Sequence, residues 1–263
     1  GLFLVTGSTD CTVRICWLGN GVPKSASAQR HWASSPLPTR ALHVLHGHRG
    51  GVTCLAGSGA LDVVVSGDGC GKCLLHTLSK GRFLRCFTHP SLRPILLLQM
   101  SDLGDIFMCG HGDTGVNVTD LHGLSLRRIS CGGPSPLGQP AVATGETDAS
   151  GAAISSMVLS DDGAVLLTGD VSGRVVVRAA RCLTALRVLP RAGGRKTCHA
   201  ETRDAVLSMS LSPSNNFLLI GRESGDVQVH LSQTQGRRGG ASASPPPLSP
   251  VLFESLSPRT SSS

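Results

Sequence analysis

Residues 66–73 read SGDGCGKC, and the residue types allow three chemistries. Gly71-Lys72 resembles the end of a phosphate loop. Cys70 and Cys73 form a C-x-x-C pair that could hold half a zinc site. The glycines also suit a tight turn. A phosphate loop requires G-x-x-x-x-G-K-[ST], so that backbone N–H groups wrap the phosphates and a hydroxyl reaches magnesium. Here Ser66 stands at the first glycine position and Cys73 at the hydroxyl position. A closed zinc site requires four ligands, usually as two pairs. His76 could supply a third, but among the ten cysteines no second C-x-x-C occurs. The stretch reads as a turn, and no metal or cofactor is expected.

Other reactive residue types are equally unassembled. No G-x-S-x-G nucleophile elbow occurs. Asp161-Asp162 sits in SDDG, a β-turn sequence. His46 and His48 flank Gly47 in an extended segment and read as the entry to a repeat unit. Cys11 and Cys16 fall on opposite faces of a regular strand, which argues against a redox pair. These observations predict a protein without catalytic residues.

The elements that must carry these residues are visible as repeats. A small residue, glycine, a short turn and an apolar strand recur as TGSTDCTVRIC, SGDGCGKCLLH, CGHGDTGVNVT, TGDVSGRVVVR and IGRESGDVQVH. The glycines are Gly7, Gly67, Gly110, Gly169 and Gly221, spaced by 60, 43, 59 and 52 residues. Upstream strands LDVVV, GDIFM, AVLLT and NFLLI precede the later four. Units of ~40–45 residues with four strands each are propeller blades, with longer steps explained by loop insertions. The reading is an all-β propeller over residues 1–231, with five blade cores visible. The first lacks its opening strand, so about two of a usual ~7 blades are expected upstream. SGDGCGKC is then the turn between the second and third strands of one blade, with glycines at positive φ.

The sequence resembles WD-repeat propellers. HVLHGHRGGVTCLAGSGALDVVVSGD carries the Gly-His pair as Gly47-His48, and SPSNNFLLIG and SDDGAVLLTG resemble the family's S-P-D-G-x-x-L-x-S-G. The resemblance implies a turn Asp bonded to the His of its own blade. Asp10 and Asp113 hold that Asp position, with His89 the expected partner of Asp113. Cys70, Ser172 and Ser224 replace the Asp elsewhere, which implies a broken network in three blades. The family's Trp position is Cys16, His76, Thr119, Arg178 and His230. The strings LHVLHGHRGGVTC, ALDVVVSG, HTLSKGRFLR and LLTGDVSGRVVVR further resemble the C-terminal WD-repeat region of BEACH proteins of the neurobeachin and neurobeachin-like group. That resemblance implies a non-catalytic protein-binding scaffold in vesicle trafficking and membrane-compartment organisation. It also implies a cytoplasmic site at the cytosolic face of membranes and a BEACH domain upstream in the same chain.

Charge is concentrated. The chain carries 24 Lys and Arg against 17 Asp and Glu, a net charge of +7. Residues 174–203 hold eight of the bases, Arg174, Arg178, Arg181, Arg187, Arg191, Arg195, Lys196 and Arg203, against the single acid Glu201. On alternating strands such as VVVR the arginines would share one face. The expected partner of this strip is an acidic protein, and the alternative is an anionic or phosphoinositide membrane surface. No aromatic residue interleaves with the bases, which argues against nucleic acid. Residues 232–263 form a Ser/Pro/Gly-rich low-complexity tail, read as disordered, in which VLFESL could return as an outer strand.

Overall fold

In the computed structural model the described residues are 2–19, 41–130, 151–189, 204–233 and 252–255. They form nineteen strands and no helix. The first sheet orders β1 (Leu2–Gly7), β2 (Val13–Gly19) and β3 (His43–Leu45). The second orders β4 (Val52–Ser58), β5 (Val63–Asp68), β6 (Lys72–Thr77) and β7 (Phe83–Thr88). The third holds β8 (Ile95–Met100), β9 (Ile106–Gly110), β10 (Gly115–Thr119) and β11 (Ser125–Ser130). The fourth holds β12 (Ile154–Leu159), β13 (Val165–Asp170), β14 (Val175–Ala179) and β15 (Ala185–Leu189). The fifth holds β16 (Val206–Leu211), β17 (Phe217–Arg222), β18 (Val227–Gln233) and β19 (Leu252–Ser255). Sheets two to five are four-stranded meanders in chain order, as expected of blades.

The chain divides into two compact units. One comprises residues 1–111 and 117–128, the other 112–116 and 129–263. In the first, Val63, Val65, Cys73, Leu75, Ile95 and Met108 form one core, and Val13, Ile15, Leu45, Val64 and Leu78 another. In the second unit, Val165, Leu167, Val175, Val177, Val206 and Ile220 pack together. The apolar runs read as upstream strands are interior strands such as β5 and β13, buried along their whole length. That explains why they lack polar alternation.

Two local devices recur. Each inner strand opens with a register shift, at Val52/Cys54, Ile95/Leu97, Ile154/Ser156 and Val206/Ser208, a bulge that turns the strand. The repeat glycine has a packing role. A Cβ on Gly7 would lie 2.5 Å from Val52, one on Gly67 3.0 Å from Ile95, and one on Gly169 2.6 Å from Val206. In all three the neighbour is the first residue of the next sheet's inner strand. This corrects the expectation that Gly67 serves a positive φ. That role belongs to Gly71 (φ 79°), Gly173 (84°) and Gly225 (86°), four residues further on. In the first sheet the same position is Cys11, at φ 67°.

The low-complexity tail is not wholly outside the sheets. Within VLFESL, Leu252–Ser255 form β19, antiparallel to β18, with His230 opposite Ser255. The fold therefore uses residues beyond 231.

Candidate functional site

SGDGCGKC is the β5–β6 turn. Asp68 is fully buried at the end of β5. Its Oδ1 accepts the backbone N–H of Cys70 at 2.8 Å and of Lys72 at 2.9 Å. Its Oδ2 lies 3.0 Å from His48 Nδ1, and His48 Nε2 lies 2.7 Å from Ser66 Oγ. The Ser66 hydroxyl donates to the Leu74 carbonyl at 3.3 Å. By type and nitrogen this is the Ser-His-Asp order of a hydrolase. Unlike a hydrolase nucleophile, Ser66 is 1% exposed and its proton is bonded within its own sheet. The line of groups is a brace that ties the blade entry to β5 and β6.

Sequence reasoning expected this network to be broken at Cys70. It is intact through Asp68, two residues earlier, because the buried carboxylate reaches both the turn amides and the incoming His48. The available signal was the Ser-Gly-Asp triplet itself, with Ser66 and Asp68 flanking the packed glycine. TGD repeats it: Asp170 Oδ1 accepts the N–H groups of Ser172 at 2.9 Å and Arg174 at 3.0 Å. In the fifth sheet Arg222 takes this place. Its guanidinium donates to the Gly173 carbonyl at 3.0 Å, the Asp204 carbonyl at 3.3 Å and Gln228 Oε1 at 3.0 Å. Sequence reasoning missed Arg222 altogether.

The other expected network residues divide. Gly47, with φ 131°, delivers His48 to the brace. Asp10 is exposed and binds its own turn: it accepts from Thr12 N at 2.9 Å and Oγ1 at 2.6 Å, and pairs with Arg14 at 3.1 Å. Among the described residues it braces no histidine entry as Asp68 does. His89 is buried, with Ser91 Oγ at 2.7 Å and Asn117 Nδ2 at 2.8 Å from its ring nitrogens. Asp113 is buried in the β9–β10 turn.

The C-x-x-C pair is split between environments. Cys70 is exposed in the turn, and Cys73 is buried in the core of its unit. Burial pushes the Cys73 thiol well up and that of Cys54 to about 11, so both remain protonated and inert. Four of the five positions aligned with the family Trp are buried polar groups instead. His76, Thr119, Arg178 and His230 all lie inside, and His76 meets Phe83 edge to face at 5.6 Å.

The basic strip does not form a single face. Arg178 is 2% exposed, because β14 lies between β13 and β15 and is buried on both sides. It cannot contact an acidic partner. Arg174 and Arg187 are half-buried, and Arg181 is exposed. Arg191, Arg195, Lys196 and Arg203 lie outside the described residues.

The sequence comparison also finds a propeller. A model of the neurobeachin β-propeller domain matches residues 1–139. The chain belongs to the neurobeachin β-propeller family. BEACH domain-containing protein B of Arabidopsis thaliana is 32% identical over 155 residues, 54% of this chain. BEACH domain-containing protein lvsD of Dictyostelium discoideum is 35% identical over 92 residues, 35% of the chain. A putative neurobeachin homolog of Caenorhabditis briggsae is 24% identical over 231 residues, 86% of the chain. The chain spans 6%, 3% and 8% of the lengths of these three relatives. Among solved structures, the Cps50 (Swd1) β-propeller domain of Myceliophteria thermophila matches with a TM-score of 0.64 and 16% identity. The match covers 96% of this chain and 67% of that one. A chain of the mitotic checkpoint complex matches with a TM-score of 0.58 and 14% identity, covering 88% and 58%. At such identities these likenesses speak for the propeller fold alone. This member of the neurobeachin propeller family is thus an array of WD-repeat blades, with the Ser-His-Asp line buried inside one of them.

Proposed function

We propose that this chain is the non-catalytic protein-binding scaffold of a BEACH-type protein acting in vesicle trafficking at the cytosolic face of membranes. The observation that carries the reading is the neurobeachin propeller match over residues 1–139, laid over blades whose polar side chains are spent on internal bracing. The relatives it matches are BEACH-domain proteins, which supports a BEACH domain in the same polypeptide. Protein partners then meet the turns and exposed strand faces, with Arg181 supplying positive charge for acidic ones.

The test is rescue in cells that lack the full-length protein containing this chain. Reintroduced protein should restore vesicle cargo distribution, and the same protein without this chain should not. Normal cargo distribution after deletion of the chain overturns the proposal.

A further inference from the structure

The edge strands β7 and β11 leave large apolar side chains in solvent. Phe83 is 58% exposed and Leu84 47%, and beside them Leu124 is 64% and Leu126 44% exposed. β7 and residues 125–128 of β11 belong to the same compact unit. They are joined there through the β10–β11 turn. Arg85 of β7 donates to the His122 carbonyl of that turn at 3.2 Å. A Cβ on Gly123 would lie 3.1 Å from the Phe87 side chain.

A bulge puts one of these leucines outside. On β7, Arg85 lies opposite Leu75 and Phe83 opposite His76, which leaves Leu84 with no counterpart on β6. The fourth sheet repeats the device. Arg187 lies opposite Val177 and Ala185 opposite Arg178, with Leu186 between them and 44% exposed. A bulge in an edge strand interrupts the ladder and re-aims a side chain. It also blunts the edge against an added strand. β7 therefore presents apolar side chains without a continuous backbone edge for a peptide to extend.

Bases interleave with these side chains. The runs are Arg82-Phe83-Leu84-Arg85 and Leu124-Ser125-Leu126-Arg127-Arg128, all four arginines are exposed, and neither strand holds an acid. Among the described residues Arg82, Arg127 and Arg128 form no ion pair. The acids of the adjoining turns are occupied. Asp62 accepts the Ser79 amide at 2.9 Å, and Asp120 accepts the amides of His122 at 2.9 Å and Leu124 at 2.8 Å. Protein interfaces deplete charge from their apolar core and keep it at the rim. Here arginines adjoin Phe83, Leu84 and Leu126 directly. That mixture suits a lipid surface, where Leu and Phe sit at the boundary of headgroups and acyl chains and Arg meets the phosphates.

We propose that the outer edge formed by β7 and β11 docks on an anionic membrane leaflet. Phe83, Leu84, Leu124 and Leu126 enter the headgroup region, and the arginines lie on the lipid phosphates. This surface is separate from the strip at residues 174–203. The inference rests on these two strands and not on the trafficking role, so either can fail alone.

The test is flotation of the full-length protein containing this chain with two kinds of vesicle. One is phosphatidylcholine alone, and the other is phosphatidylcholine and phosphatidylserine in equal parts. Recruitment should be stronger to the anionic vesicles and should fall with added salt. Arg127→Ser combined with Arg128→Ser should weaken it at least about tenfold, given the attraction of each base near an anionic leaflet. Leu84→Ser combined with Leu126→Ser should weaken it several-fold. Leu84→Trp should strengthen it, because Trp favours the membrane interface. A photoreactive diazirine side chain at position 84 should crosslink to lipid, a readout that stands even where a serine variant perturbs folding. Equal recruitment to both vesicles, binding unchanged by the paired arginine substitutions, or crosslinking from position 84 to protein in place of lipid overturns the proposal.

Discussion

His48 Nδ1 lies 3.0 Å from Asp68 Oδ2, and both side chains are excluded from solvent. Burial works against the Asp68 charge, but the Lys72 amide, the His48 ring and the Cys70 amide outweigh it and hold the carboxyl below its ordinary 3.8. Asp68→Ala orphans those three groups and should cost about 3 kcal/mol, because a broken buried pair leaves unsatisfied partners. Asp10→Ala removes only an exposed turn contact and should leave stability nearly unchanged. Chemical denaturation of the two variants measures both. A carboxyl depressed in the folded state stabilises above its unfolded pKa and loses that contribution as pH falls through the folded value. The deficit of Asp68→Ala should therefore be full at pH 7 and shrink below about pH 4.

A second pH effect comes from the buried histidines. Burial lowers the pKa of His76 below 6.5, and that of His230 too, where Arg222 and Arg187 add to it. The unfolded chain then binds more protons than the folded one as pH drops through 6.5. Stability should fall from pH 7 to pH 5. Neither ring nitrogen of His230 meets a partner among the described residues. His230→Leu should accordingly flatten the melting-temperature profile across this range and raise the melting temperature at pH 5.

The two cysteines of the C-x-x-C pair should respond differently. Cys70→Ser changes an exposed turn residue and should leave stability within about 0.5 kcal/mol of the parent. Cys73→Ser puts a hydroxyl into an apolar core and should cost about 1–3 kcal/mol. The sequence alone suggests a nearly neutral Cys73→Ser, and burial reverses that. Denaturation midpoints of the two variants decide the point.

Cys11 occupies the left-handed turn position held by Gly71, Gly173 and Gly225 in other sheets, with φ 67°. A side chain there costs roughly 1–2 kcal/mol, against which glycine's extra unfolded-state freedom must be set. Cys11→Gly should stabilise the chain by about 0.5–1 kcal/mol, read from thermal unfolding. A loss of stability would count against the assigned turn.

The blades were legible because their signals are local. LDVVV and AVLLT are strand-length apolar runs, and the glycine-rich turns recur at fixed offsets, so β5, β6, β13 and β14 could be placed from sequence. What escaped depended on contacts between elements. The role of Gly67 is invisible in its own turn, because Ile95 covers it from the next sheet. Asp68 was passed over because the resemblance places the bracing Asp two residues later. Arg178 follows three valines and suggests an exposed end, yet an interior strand gives it no open face. VLFESL showed its β pattern, but its pairing with β18 crosses a long interval of chain.

The claim that neighbouring sheets within each unit meet through their inner strands rests on Gly7, Gly67 and Gly169 each being covered by the first residue of the next sheet's inner strand. Gly169 and Val206 test it most directly, by a double-mutant cycle in chemical denaturation. A Cβ at Gly169 would lie 2.6 Å from Val206, and Val206 is fully buried. Gly169→Ala should cost about 2 kcal/mol by overpacking, and Val206→Ala about 2 kcal/mol by leaving a cavity. Together the added methyl occupies the vacated space, so the double variant should be more stable than the sum of the single losses by over 1 kcal/mol, on the scale of coupled neighbours. Losses that add to within about 0.5 kcal/mol, as for distant sites, would contradict the account.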